Sequence, residues 1–241
     1  MREFGIIGYP LGHSFSARYF SEKFAREHID ARFEMYPLHS ISELEPLLGR
    51  VPFAGMNVTQ PYKVAVMEYL DSLDETAREI GAVNVIRFHQ GRRIGYNTDC
   101  QGFIQSIRPA LRPSDRHALV LGTGGAAKAV TYALRTLGLT TEPVSRDASR
   151  GLPYERLTAD IMAAHTVVVN CTPLGMYPAT EACPPIPYEH LTEQHLLFDC
   201  IYNPEETLFL RRGAAQGCRT MNGMGMLYGQ AEAAWEIWNK E

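Results

Sequence analysis

Short apolar runs bounded by glycine, proline and charge recur along the chain: Phe4 to Tyr9, Ala54 to Val58, Val83 to Phe88, His117 to Leu121, Thr166 to Asn170 and Leu196 to Asp199. Each has the length of a largely buried strand. Between them lie stretches with apolar positions at helical spacing. Tyr19, Phe20 and Phe24 mark one face of a helix from Ser14 to about His28. Arg32 to Leu38 reads as another strand. Ser42 with Glu45 has the form of a capping box opening a short helix. Asp71 to Ile80 reads as a charged helix. Val83 to Phe88, the turn His89-Gln90-Gly91-Arg92, and Arg93 to Tyr96 predict a hairpin.

The pattern restarts near Thr98-Asp99, where a helix carries the chain away, and Pro109 and Pro113 bracket a break. The strand His117 to Leu121 leads into Gly122-Thr123-Gly124-Gly125-Ala126-Ala127 and a helix to about Leu137. A further strand ends near Ser145. Thr172 to Pro187 is a proline-rich loop. Thr207 to Gln216 reads as helix, and a last helix from Gly225 carries Leu227, Ala231, Ala234, Trp235 and Trp238. Strands alternating with helices predict an α/β fold of βαβ units with mostly parallel sheets, in two domains.

Composition narrows the class. The chain has 241 residues, 45% of them hydrophobic, enough for one large core or two small ones. Net charge is −4 and no Lys/Arg run exists, so nothing builds a face for nucleic acid. The first apolar run is too short and wrongly flanked for a signal peptide or a membrane span. Five scattered cysteines without a CxxC pair read as reduced thiols in a cytoplasmic protein, with Cys171 and Cys200 as small core residues. The eight histidines show no metal-ligand spacing; His190 and His195 fit no zinc pattern, so no metal is expected.

Two stretches carry chemistry. Gly55-Met56-Asn57-Val58-Thr59-Gln60-Pro61-Tyr62-Lys63 reads as a strand, a turn and a helix opening at Pro61, with Lys63 in its first turn. A cation there opposes the helix macrodipole, which disfavours its charged form. Lys63 is then either a snorkelling surface lysine or one tuned for acid–base work with a partner elsewhere. The second stretch, Gly122-x-Gly124-x-x-Ala127, matches the dinucleotide fingerprint in its required strand–turn–helix context. The pyrophosphate would sit on the helix N-terminus. The following strand ends Val144-Ser145-Arg146-Asp147-Ala148-Ser149-Arg150. Arg146 and Arg150 suit the 2′-phosphate of NADP, whereas Asp147 would suit NAD if it faced inward.

Further motifs follow in order: Gly8-Tyr9-Pro10, His13-Ser14-Phe15-Ser16, Asn57-Val58-Thr59, Pro61-Tyr62-Lys63 and Gly81-Ala82-Val83-Asn84, then Gly95-Tyr96-Asn97-Thr98-Asp99 and Gly122-Thr123-Gly124-Gly125-Ala126. Asp199 with Tyr202-Asn203-Pro204, and Gly223-Met224-Gly225-Met226-Leu227 with Gln230-Ala231, complete the set. Together, nearly end to end, they resemble the shikimate dehydrogenase (shikimate/quinate dehydrogenase) family. The resemblance implies NADP-dependent interconversion of 3-dehydroshikimate and shikimate in aromatic amino-acid biosynthesis. It implies a substrate domain from 1–98 with 222–241 and a Rossmann-like cofactor domain from 99–221, the last helix returning to the first domain. It assigns Lys63 and Asp99 as the acid–base pair, and Ser14, Ser16, Thr59, Asn84, Tyr202 and Gln230 to substrate. Gly122, Gly124, Gly125, Ala126, Ser145, Arg146, Arg150, Thr172, Met176, Gly223 and Met226 fall to the cofactor.

Read alone, Asp99, Ser14 and Ser16 could be helix caps, Asn84 a turn residue, Gln230 a surface residue and Tyr202 a core aromatic. Ala17, Tyr19-Phe20, Ser145 and Asp147 depart from the family pattern, and Arg146 to Asn170 is short for it, so a cofactor-domain helix is expected to be missing or trimmed there. The alternatives are a quinate/shikimate dehydrogenase using NAD or NADP, and a non-catalytic nucleotide sensor. Partners are a small-molecule substrate and, for quaternary structure, a monomer or homodimer. A hinge is expected near Gly95–Gly102 and Asn222.

Overall fold

The structure, a computed structural model, describes every residue except His13 and Glu241, so the His13 of the first motif lies outside the described residues. The chain divides into two compact units, Met1–Thr98 with Gln230–Glu241, and Asp99–Gly229.

The first unit runs β1 (Arg2–Gly8), α1 (Phe15–Arg26), β2 (Ala31–Pro37), α2 (Leu44–Leu48), β3 (Phe53–Val58), β4 (Ser72–Leu73), α3 (Glu75–Ile80), β5 (Val85–His89) and β6 (Arg92–Tyr96). Its sheet has the order β2-β1-β3-β5-β6-β4. β1 is parallel to β2 and β3, while β5 is antiparallel to β3 and β6. The expected hairpin is therefore present, and the sheet is mixed. Gln90 and Gly91 carry positive φ at its turn, which Gly91 adopts without steric cost.

Helix α1 begins where Ser14 accepts from the Ala17 amide at 3.3 Å, satisfying one of the first-turn donors. It buries Phe20 and Phe24 against Phe4 and Phe33, with the Phe20 and Phe33 rings stacked at 5.0 Å. Trp235 and Trp238 of the last helix (Met224–Asn239) join this cluster. The Trp238 indole donates to the Ile86 carbonyl at 3.0 Å and lies so close to Gly55 that no side chain fits there.

The second unit runs α4 (Asp99–Ile107), β7 (His117–Leu121), α5 (Gly125–Thr136), β8 (Thr140–Val144), α6 (Ala159–Ala164), β9 (Val167–Asn170), β10 (Leu196–Asp199), α7 (Leu208–Ala215), β11 (Arg219–Met221) and the first turns of α8 (Met224–Asn239), whose residues from Gln230 onward belong to the first unit. Its five strands are all parallel in the order β11-β10-β9-β7-β8. The first turns of α8 pack on α4 through glycine: a Cβ on Gly229 would stand 2.9 Å from the Gly102 Cα. The helical content between Arg146 and Asn170 is the six residues of α6 and a single 3-10 turn at Tyr154–Arg156. Among the described residues no helix is long and apolar enough to cross a membrane.

Several local expectations need correction. No α-helix opens at Pro61: residues 60–64 are turn, followed by a 3-10 helix at Ala65–Tyr69. The reason lies in where the carbonyls go. The Lys63 carbonyl accepts from the Val83 amide at 2.7 Å, so it is not spent on an i+4 bond, and Tyr62 is tied to the Leu38 carbonyl by its hydroxyl. Lys63 therefore sits in a turn, and the macrodipole argument for it lapses. In place of the expected capping box there is a simple serine cap two residues earlier. Ser40 caps the 3-10 turn at Ile41–Glu43, while Glu45 pairs with Arg93. Residues 71–74 are not helical; Asp71 holds the Arg93 amide, β4 follows, and Asp74 caps α3. The two shortest strands, β4 and β11, carry too few residues to show a period.

Candidate active site and cofactor cradle

In the first unit the candidate residues gather at one end of the sheet. β1 and β3 are parallel, and Ile7 pairs with Val58 at their carboxyl ends. Ser14 and Ser16 follow β1; Thr59 and Lys63 follow β3. Because β5 is antiparallel, its amino end lies there too, bringing Asn84. The ladder continues through Asn84, whose carbonyl accepts from Val58 at 2.8 Å and whose amide donates to Tyr96 at 3.0 Å. Gly8 is pressed so closely on Thr59 that only hydrogen fits at its α-carbon, which brings the two strand ends together.

The side chains there are polar and largely enclosed. Ser16 is buried, and Ser14, Thr59 and Lys63 are half-buried. Asn84 is 3% exposed and clamps Thr98 twice, donating to its hydroxyl at 2.9 Å and accepting from its amide at 2.7 Å. That clamp fixes the residue before Asp99. Asn57 is equally buried, donates to the Asn84 carbonyl at 3.4 Å, and has an Oδ1 with no partner among the described residues. A buried acceptor of this kind normally meets water or a ligand donor. Gln230 is buried on α8, and Asp99 is buried at the first residue of α4.

In the second unit the remaining candidates follow the carboxyl ends of the strands, where open α/β sheets bind ligands. Gly122, Gly124, Gly125 and Ala126 follow β7. Ser145, Arg146 and Arg150 follow β8, Thr172 and Met176 follow β9, Tyr202 follows β10, and Gly223 and Met226 follow β11. Gly122 has φ +106°, and a Cβ there would press on Thr172 at 3.2 Å. A Cβ on Gly124 would meet nothing within 4 Å, and among the described residues no side chain caps α5. The helix N-terminus thus faces open space with its first amides uncapped, which fits a dinucleotide pyrophosphate. Arg150 donates to the Thr123 carbonyl at 3.0 Å and so lies beside this turn, and Arg146 is exposed. Asp147 is turned onto Ser149, accepting from its amide at 3.0 Å and its hydroxyl at 2.7 Å; these bonds hold its carboxyl below the usual range.

A network that motif reading passed over holds two of these loops. Asn170, at the end of β9, accepts from the Thr172 amide at 3.0 Å and its hydroxyl at 2.7 Å. Its amide is oriented by Asp199, to which it donates at 3.0 Å. Asp199 is fully buried and also accepts from Ile201 at 3.0 Å and from Thr207 at 2.6 Å. Burial pushes its carboxyl up to about 6, and these donors restrain the rise. The available signal was an Asn two residues before Thr172 at a strand end, the spacing of an Asx turn. Cys171 and Cys200 also need correction: both lie one residue past a strand end and are half-buried rather than in the core.

Comparison with known proteins gives a consistent picture. Residues 6–86 match the model of the shikimate dehydrogenase substrate binding domain. The chain is 37% identical to the shikimate dehydrogenase (NADP(+)) of Desulforamulus reducens, covering 97% of this chain and 88% of that one. Among solved structures, shikimate 5-dehydrogenase from Thermus thermophilus in complex with NADP(H) and shikimate superposes with a TM-score of 0.88. The identity is 31%, and 100% of this chain and 94% of the other are covered. Shikimate 5-dehydrogenase from Listeria monocytogenes, in complex with shikimate and NAD, gives a TM-score of 0.83 at 26% identity, covering 100% and 92%.

Proposed function

Because the chain belongs to the shikimate dehydrogenase family, we propose that it catalyses the reversible NADPH-dependent reduction of 3-dehydroshikimate to shikimate in aromatic amino-acid biosynthesis. The observation that carries this is similarity to an NADP-dependent member along 97% of the chain.

The chemistry asks little more than this chain offers. Bound NADPH supplies the hydride. Reduction of a ring ketone leaves a developing alkoxide, which needs a proton donor within hydrogen-bond reach. Lys63 gives that proton at Nζ, or stabilises the oxyanion as an ammonium. Asp99 holds the ammonium and its orientation. Ser14, Ser16, Thr59, Asn84, Tyr202 and Gln230 bind the carboxylate and hydroxyls of the polyhydroxy acid. The first unit takes the substrate, in keeping with the family model matched there, and the second takes the cofactor.

Arg146 and Arg150 receive the 2′-phosphate. Asp147, drawn onto Ser149, leaves that role to them, which favours NADP. A second reading, use of NAD as well, draws on the NAD complex of the Listeria relative and on the missing Asn and Thr beside Arg146. The protein works in the cytoplasm as a monomer or homodimer. Lys63→Ala tests the mechanism: turnover should fall by about two to four orders of magnitude, the usual worth of a positioned proton donor, with NADP affinity kept. Unchanged turnover would remove Lys63 from the chemistry.

A further inference from the structure

Two thiols that the proposed reaction does not use stand against each other beside the cofactor loops. Asn170 and Asp199 are the last paired residues of the parallel strands β9 and β10. Cys171 and Cys200 come next. The ladder continues one step further, since the Cys200 amide donates to the Asn170 carbonyl at 2.9 Å. The sulfurs are 3.7 Å apart, both residues are half-buried, and all five cysteines of the chain are free. Neighbouring strands are about 4.8 Å apart, which lies inside the Cα separation that a disulfide spans. Closing the bond asks the sulfurs to approach by about 1.7 Å.

We propose that Cys171 and Cys200 form a reversible disulfide under peroxide, and that the oxidised form binds NADP more weakly. The redox claim stands on the thiol geometry alone; the cofactor consequence rests on the dinucleotide reading above. The chemistry balances. One thiolate attacks hydrogen peroxide, giving a sulfenic acid and hydroxide. The second thiol then displaces water from the sulfenic sulfur to form the S–S bond. In sum, two thiols and one peroxide give a disulfide and two waters.

The coupling to the cofactor follows from the neighbours. The Cys171 amide donates to the Leu121 carbonyl at 2.9 Å, and a Cβ on Gly122 would touch the Cys171 carbonyl at 3.4 Å. Thr172, the next residue, is held by Asn170. On the other strand Gly223 is packed directly against the Cys200 carbonyl. Drawing the two residues together therefore moves the backbone under Gly122, Thr172 and Gly223. Strained or exposed disulfides are the readily reduced ones. Hydrogen bonding to Cys171 together with burial holds the Cys200 thiol well above its usual range.

The test oxidises purified protein with hydrogen peroxide and reads intact mass, peptide linkage and NADP affinity by titration calorimetry. The expected result is a loss of two hydrogens, a Cys171–Cys200 linked peptide, and NADP affinity lowered at least about fivefold, restored by dithiothreitol. By linkage, saturating NADP should shift the dithiol–disulfide equilibrium toward the reduced form by the same factor. Cys200→Ser should keep the reduced protein's affinity and show no peroxide response. A stable sulfinic acid, a bridge to another cysteine, or no mass change would overturn the redox claim whatever the cofactor. A mapped bridge with unaltered NADP affinity would overturn the switch. Reduced protein that binds no NADP would instead fault the cofactor reading.

Discussion

Lys63 owes its place to its backbone: the carbonyl is held by Val83, next to Asn84, whose side chain in turn fixes Thr98. That chain of bonds was not legible in the sequence, where Pro61 suggested a helix start. The residue types were legible; their partners were not, because hydrogen bonds between segments about 20 residues apart leave no local pattern. Arg146 is simpler. It is exposed, so its removal costs the fold little. Arg146→Ala should weaken NADP about ten- to a hundredfold, the worth of charge-assisted bonds to phosphate, with NAD affinity nearly unchanged; paired titrations of the two cofactors check this. Equal weakening would make Arg146 structural. Asp199 makes a different prediction. Its carboxyl is raised from 3.8 to about 6 by burial, so the folded state binds more protons between those values. Stability from this group is therefore present below about pH 4 and lost as pH rises through about 6, by about 3 kcal/mol in all. Asp199→Asn should flatten that part of the stability profile, measured by urea unfolding across the range. An unaltered slope would mean the carboxyl titrates normally.

Among the elements, the buried apolar runs next to glycine turns read true, and the shortest strands and the turn-rich segments depended on tertiary context. β7 and β10 have the bounds expected of them, and α5 begins within its glycine turn. The strands β4 and β11 escaped notice because two or three residues have no period. The last helix was legible as a stripe of Leu227, Ala231, Ala234, Trp235 and Trp238, but not what it packs on. Trp238 fills the space over Gly55 and bonds to Ile86. Trp238→Ala should cost about 3–5 kcal/mol by chemical denaturation, from the cavity and the orphaned carbonyl. Trp238→Phe should recover most of that and retain about 1 kcal/mol of loss for the missing N–H bond. A small effect of Trp238→Ala would mean the helix is held by its other aromatics alone.

Across the molecule, two α/β units place their candidate residues on the carboxyl edges of two sheets, one mixed and one parallel. The strand–turn–helix fingerprint made the second unit readable as a nucleotide binder. The first had no such fingerprint; its substrate role came from an ordered set of motifs, each weak by itself. Everything assigned to these residues stands or falls with the activity, and a rate comparison reads it without intermediaries. Purified protein is mixed with shikimate or quinate, each with NADP or NAD, and the reduced nicotinamide is followed by absorbance. Turnover should be fast with shikimate and NADP, and much slower in the other three mixtures. Equal rates with quinate or NAD would refute the assigned specificity, and no turnover in any mixture by a folded, NADP-binding protein would refute the activity itself.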